Sequence, residues 1–194
     1  MKFKIFKFNK VTSTNDKAIN LITKKNKISG CVCAYIQTKG RGTYGKKWIS
    51  KKGNFFGSIF FPLKINYPTF DEFSTINAII IYNVIKKFYK KKNISLKFPN
   101  DILINKKKIC GILQEVITLQ ERKFLIVGIG LNTISNPKLN KKYLATNILH
   151  ETKTNPGIKE IIKQITHSYE KFFLNLRSYD YLNFKKRAKM LASN

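Results

Sequence analysis

Apolar and polar residues alternate from the start of the chain. MKFKIFKFNK interrupts its apolar residues with lysine every two or three places and reads as a β-strand. It lacks the unbroken apolar core of about 7 to 15 residues that a secretory signal needs. TSTND then offers several helix caps ahead of KAINLITKK, whose apolar positions recur at helical spacing, so a helix starts between Ser13 and Asp16. CVCAYIQ alternates as a strand and NFFGSIFF reads as a buried one. FSTINAIIIYNVIKKFY has the length and apolar face of a helix, with Pro62 and Pro68 in the connection before it.

ISLKFPNDILINKKKICGILQEV divides into a short strand, a Pro-Asn-Asp turn, a hairpin around Asn105 to Lys107 and a longer strand to about Ile117. KFLIVGIGLN is a further buried strand that ends in glycines, and IKEIIKQITHSYEKFFLNL and YLNFKKRAKML are helical. Strands and hairpins mixed with helices, without regular alternation, predict an α+β fold in which helices flank a mixed β-sheet. No repeat, linker or domain boundary interrupts residues 1–194, which read as a single domain.

Composition narrows this little. A content of 43% hydrophobic and 13% aromatic residues is that of a chain with a core and argues against disorder. The net charge of +28 favours phosphate, acidic proteins or anionic surfaces, but lysines are scattered, as in FYKKKN and KKYLATN, and form no tail or stripe. Three cysteines, Cys31, Cys33 and Cys110, lack metal-ligand spacing and read as reduced thiols in strands. His150 and His167 are too isolated to suggest a metal site or triad. Apolar runs such as NAIIIYNVI are too short to cross a bilayer, so a soluble, cytoplasmic protein is expected.

Three stretches carry candidate chemistry. KGRGTYGKKW sets Gly40, Gly42 and Gly45 around Arg41, one of only four arginines, and ends on the single tryptophan, Trp48. Its glycines can take positive φ and bring N–H groups to an anion, while Lys39, Arg41, Lys46 and Lys47 neutralise it. It matches neither the nucleotide phosphate-loop nor the dinucleotide fingerprint. In KFPND, followed by KICG, a Pro-Asn turn holds Asp101, one of ten carboxylates, at a strand start near lysines as a base or metal-phosphate candidate. GIGLN ends a buried strand with small residues that admit a flat ring, and with the amide of Asn132 to read its edge. Ser13, Thr14, Asn15 and Gln37 add neutral groups suited to an uncharged polar ligand head.

Taken in order, STN, Q..GRG..G..W, KFPND, K..GIL.E and GIGLN resemble the catalytic domain of the biotin protein ligases, the biotin–[acetyl-CoA-carboxylase] ligases. The resemblance implies a fold like that of the class II aminoacyl-tRNA synthetases and a two-step reaction. Biotin and ATP give biotinyl-5'-AMP and pyrophosphate, with Mg2+ accompanying ATP, and a lysine of a biotin carboxyl carrier protein then takes the biotinyl group. It also implies roles. Ser13, Thr14, Asn15, Gln37 and Arg41 would meet biotin's head, Gly40 and Gly42 would line the loop, and Lys108 and Gly111 would lie beside the ligand. Arg41, Lys46, Trp48, Asn100, Lys108 and Asn132 would bind the nucleotide. Lys108, Asp101 and Arg41 would be catalytic, with no metal held by the protein's own residues.

Two departures from the family pattern stand out. Thr43, Tyr44 and Lys46 occupy loop positions where the family continues with arginines, which predicts a looser hold on the adenylate. The strand pattern of a small C-terminal β domain is not seen, and no helix-turn-helix precedes Met1, so DNA binding is not expected; the short apolar runs likewise give no reason to expect a membrane. The sequence leaves monomer and homodimer open. A lipoate or octanoyl ligase, a non-catalytic biotin-binding relative and a basic nucleic-acid-binding module remain as alternatives.

Overall fold

The computed structural model describes residues 1–91, 93–137 and 144–192, so Lys92 of FYKKKN and the first lysines of KKYLATN fall outside them. Seven strands form one sheet: β1 (Ile5–Val11), β2 (Gly30–Gln37), β3 (Phe55–Leu63), β4 (Ile94–Lys97), β5 (Asp101–Ile104), β6 (Lys107–Leu119) and β7 (Arg122–Leu131). Their order is β1-β2-β3-β7-β6-β5-β4. Only β1 and β2 pair in parallel; the other neighbours are antiparallel. The α+β expectation holds.

Five helices complete the described chain: α1 (Thr14–Lys25), α2 (Phe70–Phe88), α3 (Ile148–Thr152), α4 (Gly157–Leu174) and α5 (Tyr181–Leu191). Their ends follow local chemistry. Ser13 caps α1 by accepting from Asn15 N, and Asn26 in the left-handed region ends it. Thr69 and Glu72 form a reciprocal capping box at the start of α2. The hairpins β5–β6 and β6–β7 turn on Asn105–Lys106 and Gln120–Glu121, each with two positive φ values as a tight primed turn requires.

The pleat of β7 sorts the molecule into two faces. Leu125, Val127, Ile129 and Leu131 join the larger core beneath α2 and α4, whereas Phe124 and Ile126 join the smaller core beneath α1. Asn77 of α2 is fully buried in the larger core. It accepts from Tyr169 Oη at 2.8 Å and donates to Gln114 Oε1 at 2.7 Å, which satisfies its amide. On the other face the apolar cover of α1 gives way to Ser58, Gly128, Gly130 and Gly111. These small residues leave room for the segment between β2 and β3.

Pro62 belongs to β3, paired with Phe124, and does not lie in the connection that follows. At that position β3 has run beyond its pairing with β2, which ends at Phe60, so the absent N–H interrupts no second ladder. The short helix α3 is too brief for sequence periodicity to reveal. All three cysteines are free and buried, in the strands expected. Among the described residues, no helix is long and apolar enough to cross a membrane.

Candidate active site

Residues 40–48 form a hairpin laid over the sheet. Trp48 N donates to Gly40 O at 2.9 Å, Gly42 N to Lys46 O at 2.7 Å and Lys46 N to Thr43 O at 3.2 Å. Tyr44, at φ 54, and Gly45, at φ 69, turn its corner. Of the three glycine N–H groups expected to face an anion, that of Gly42 is thus spent inside the hairpin. Not all three glycines use positive φ. Gly45 does, while Gly42 is extended and has room for a Cβ. Gly40 serves close approach: a Cβ there would lie 2.6 Å from Trp48 O and 2.8 Å from Ser50 Oγ.

Trp48 lies on a floor of two glycines, Gly111 of β6 and Gly130 of β7, which are cross-strand partners. A Cβ at Gly111 would sit 2.7 Å from Trp48 Cζ3, and one at Gly130 would sit 2.6 Å from Cζ2. Lys108 Nζ stands 5.4 Å from the indole centroid, within cation–π range. The same ammonium is 2.6 Å from Asp101 Oδ1, an oxygen that is buried and takes no aligned hydrogen bond, so their attraction is Coulombic. Asn100 Nδ2 donates to Ile112 O at 3.2 Å and meets Thr43 Oγ1 at 3.4 Å, tying the hairpin's tip to β6.

A second cluster gathers at the start of α1. Arg41 donates from Nη2 to both oxygens of Glu115, at 3.0 and 2.9 Å, and from Nη1 to Asp16. Partial burial pulls its pKa down, but the hydrogen bonds it donates to Asp16 and Glu115 outweigh this and leave it above the usual value. Asn15 Nδ2 donates to Glu115 Oε2 at 2.5 Å, and Ser58 Oγ donates to Asn15 Oδ1 at 2.5 Å. Ser58 Oγ also lies 2.8 Å from Thr14 Oγ1. Gln37 Oε1 accepts from Thr14 N at 2.8 Å, and Gln37 Nε2 donates to Ser50 Oγ at 3.0 Å. Gly128 admits this arrangement, since a Cβ there would lie 2.5 Å from Asn15 Oδ1.

The expected residues therefore come together as two adjoining groups on one face. Thr14, Asn15, Gln37 and Arg41 belong to the polar circuit, with the Ser13 hydroxyl engaged as a helix cap. Trp48, Asp101, Lys108 and Gly111 form the floor and its charged edge. Lys46 stands exposed on the hairpin's outer side. Asn132 donates through Nδ2 to Thr146 O at 3.1 Å, while its Oδ1 and Trp48 Nε1 are buried and have no hydrogen-bond partner among the described residues. Sequence reasoning gave no role to Asp16, Ser58 or Glu115. The available signal was K..GIL.E itself: Gly111 and Glu115, four apart on a strand, share a face.

Sheet, hairpin and paired charges give an α+β fold whose candidate site occupies the part of the sheet that α1 leaves uncovered. The sequence profile of the biotin/lipoate A/B protein ligase family matches residues 5–132. The chain belongs to that family, and the matched span contains every candidate residue above. It is 27% identical over 184 residues to the bifunctional ligase/repressor BirA of Bacillus subtilis (strain 168), covering 92% of this chain and 56% of that protein. It is 29% identical over 124 residues to BirA of Escherichia coli (strain K12), covering 63% of this chain and 38% of that protein. The chain thus spans 38% to 56% of the length of these relatives. The biotin protein ligase of Leishmania major in complex with biotinyl-5-AMP shares the fold, with TM-score 0.83 at 23% identity, over 98% of this chain and 81% of that one.

Proposed function

We propose that this chain is the catalytic domain of an ATP-dependent biotin protein ligase, which joins biotin to AMP and then to a lysine of a biotin carboxyl carrier protein. One observation carries the reading. Two buried polar atoms without partners, Trp48 Nε1 and Asn132 Oδ1, accompany a glycine floor beside a lysine–aspartate pair. Such atoms are costly unless a ligand completes them, and a flat heterocycle with donor and acceptor edges does so.

In the first step a biotin carboxylate oxygen bonds to the α-phosphorus of ATP and pyrophosphate leaves. Lys108 offsets the repulsion between these two anions and stabilises the charge that builds on the phosphoryl oxygens. Asn132 Oδ1 accepts from the adenine amino group, and Trp48 covers the ring. Thr14 and Gln37 face biotin's ureido head. In the second step the carrier's amine nitrogen attacks the mixed-anhydride carbonyl, AMP leaves, and Asp101 takes the amine's proton. Among the described residues no three Asp, Glu, His or Cys side chains are grouped to hold a metal ion. A Mg2+ carried by ATP would rest on the phosphates and on Asp101 alone.

The test is biotin-dependent pyrophosphate release from ATP, with lipoate as control, followed by labelling of an added carrier domain. Lys108→Ala should stop release while biotin still binds, and Asp101→Ala should impair transfer at least as severely as adenylation. Normal release by Lys108→Ala, or a preference for lipoate, would overturn the assignment.

A further inference from the structure

We infer that Glu115 is a positioning residue: it holds Arg41, and through it the hairpin 40–48, down on the N-terminus of α1. The inference rests on the reading above only for the ligand that the hairpin covers. The chain has ten carboxylates, and two of them, Asp16 and Glu115, converge on this one guanidinium. Glu115 brings both oxygens to one terminal nitrogen, Nη2, while Asp16 takes Nη1, so each tip of the fork is held and the guanidinium's plane is fixed along with its place.

Two carboxylates face one guanidinium here, within a chain whose net charge is +28. Arg41 is therefore not displayed as a free cation that draws in anions. Its fork is engaged by the protein, and the product of that engagement is the hairpin's position. Glu115 is itself held. Asn15 Nδ2 donates to its Oε2, Ser58 Oγ donates to the oxygen of that amide, and Ser58 stands in the middle of β3, paired with β2 on one side and β7 on the other. The chain of contacts runs from a strand paired on both sides through Ser58, Asn15 and Glu115 to Arg41 on the hairpin.

The hairpin contains the chain's single tryptophan, so its release can be read without activity. Acrylamide quenching of Trp48 would be measured for the full chain, for Glu115→Gln, for Arg41→Gln and for the double variant, with circular dichroism and the thermal midpoint as controls for folding. Glu115→Gln keeps the shape but removes the charge and one acceptor, which should raise the open population of the hairpin about tenfold. Arg41→Gln should do the same from the exposed side, and it provides the reading if Glu115→Gln does not fold. If Glu115 acts through Arg41, the double variant adds nothing to Arg41→Gln alone, which loses Asp16 as well as Glu115. Unchanged quenching in the single variants, or effects that sum in the double, would overturn the inference. In parallel, biotin-dependent turnover of Glu115→Gln should show the KM for biotin raised about tenfold, with more free biotinyl-AMP released. Should the unaltered chain release no pyrophosphate, the ligase reading fails, while the quenching cycle still decides the role of Glu115.

Discussion

Replacing Gly130 with alanine places one methyl group on the glycine floor and asks which part of the molecule yields. The new Cβ would lie 2.6 Å from Trp48 Cζ2 and 2.7 Å from Nε1. Carbon contacts settle at about 3.5–4.0 Å, so one side must retreat by about 1 Å. Gly130 is paired on both sides, with Phe56 of β3 and Gly111 of β6, and its strand cannot step back. The indole sits on a hairpin and can. Overpacking of this kind costs about 1–3 kcal/mol. Here that cost falls on docking of the hairpin, which weakens about 5- to 150-fold. Global stability should change by less than about 1 kcal/mol, because alanine also restricts the unfolded chain. Urea unfolding, Trp48 emission and a biotin titration would be compared with the parent chain. Expected are a near-constant urea midpoint, a red-shifted emission and an affinity lower by an order of magnitude. Unchanged emission and affinity would refute the floor, and a loss of several kcal/mol in global stability would show that the strand yields instead.

Asn54 is fully buried, and its Oδ1 accepts from the N–H groups of Thr133, Ile134 and Ser135 at 3.0, 3.1 and 3.2 Å. Asn54→Ala should therefore cost roughly 2–4 kcal/mol in urea unfolding. Lys106 holds φ 60 in the β5–β6 turn, a conformation that glycine adopts without strain. Lys106→Gly should stabilise the fold by about 1 kcal/mol and leave pyrophosphate release unchanged. Burial raises the Cys33 thiol to about 11 although Lys7 opposes it, and burial also raises Cys31 and Cys110. Thiol reagents at pH 8 should label none of them until the chain unfolds. Because unfolded thiols ionise first, the unfolded state binds fewer protons between about pH 9 and 11, and stability should fall across that window, less so in Cys33→Ala.

The order of strands and helices was legible because neighbours along the chain encode it. Ser13 and the Thr69–Glu72 pair mark helix starts, and alternation along β7 separates its two faces. What Arg41 does was not legible. The residue type announced a planar fork, but its partners lie 25 and 74 positions away. They meet it only once α1 packs on the sheet and the register of β6 brings Glu115 to the same face. Gly40 and Gly42 were misjudged for a similar reason, whereas the close approach of a flat ring expected at GIGLN is met at Gly130. A sequence shows that a Cβ is missing, but whether torsion or contact demands its absence depends on what lies above, and at Gly111 and Gly130 that is Trp48. The Lys108–Asp101 pair follows from a register shift between Ile102 and Leu103 in the β5–β6 ladder, which no local pattern announces.

Cross-bracing within the hairpin, together with ties at both flanks through Arg41–Glu115 and Ser50–Gln37, makes residues 40–48 behave as one rigid flap. Such a flap lifts as a unit or stays shut. Its consequence is kinetic: when a ligand must pass beneath, the observed association rate climbs with concentration only until it meets the opening frequency, then levels off as a single exponential phase. In the proposed ligase, departure by the same path would set a ceiling on turnover, whatever the speed of bond making below.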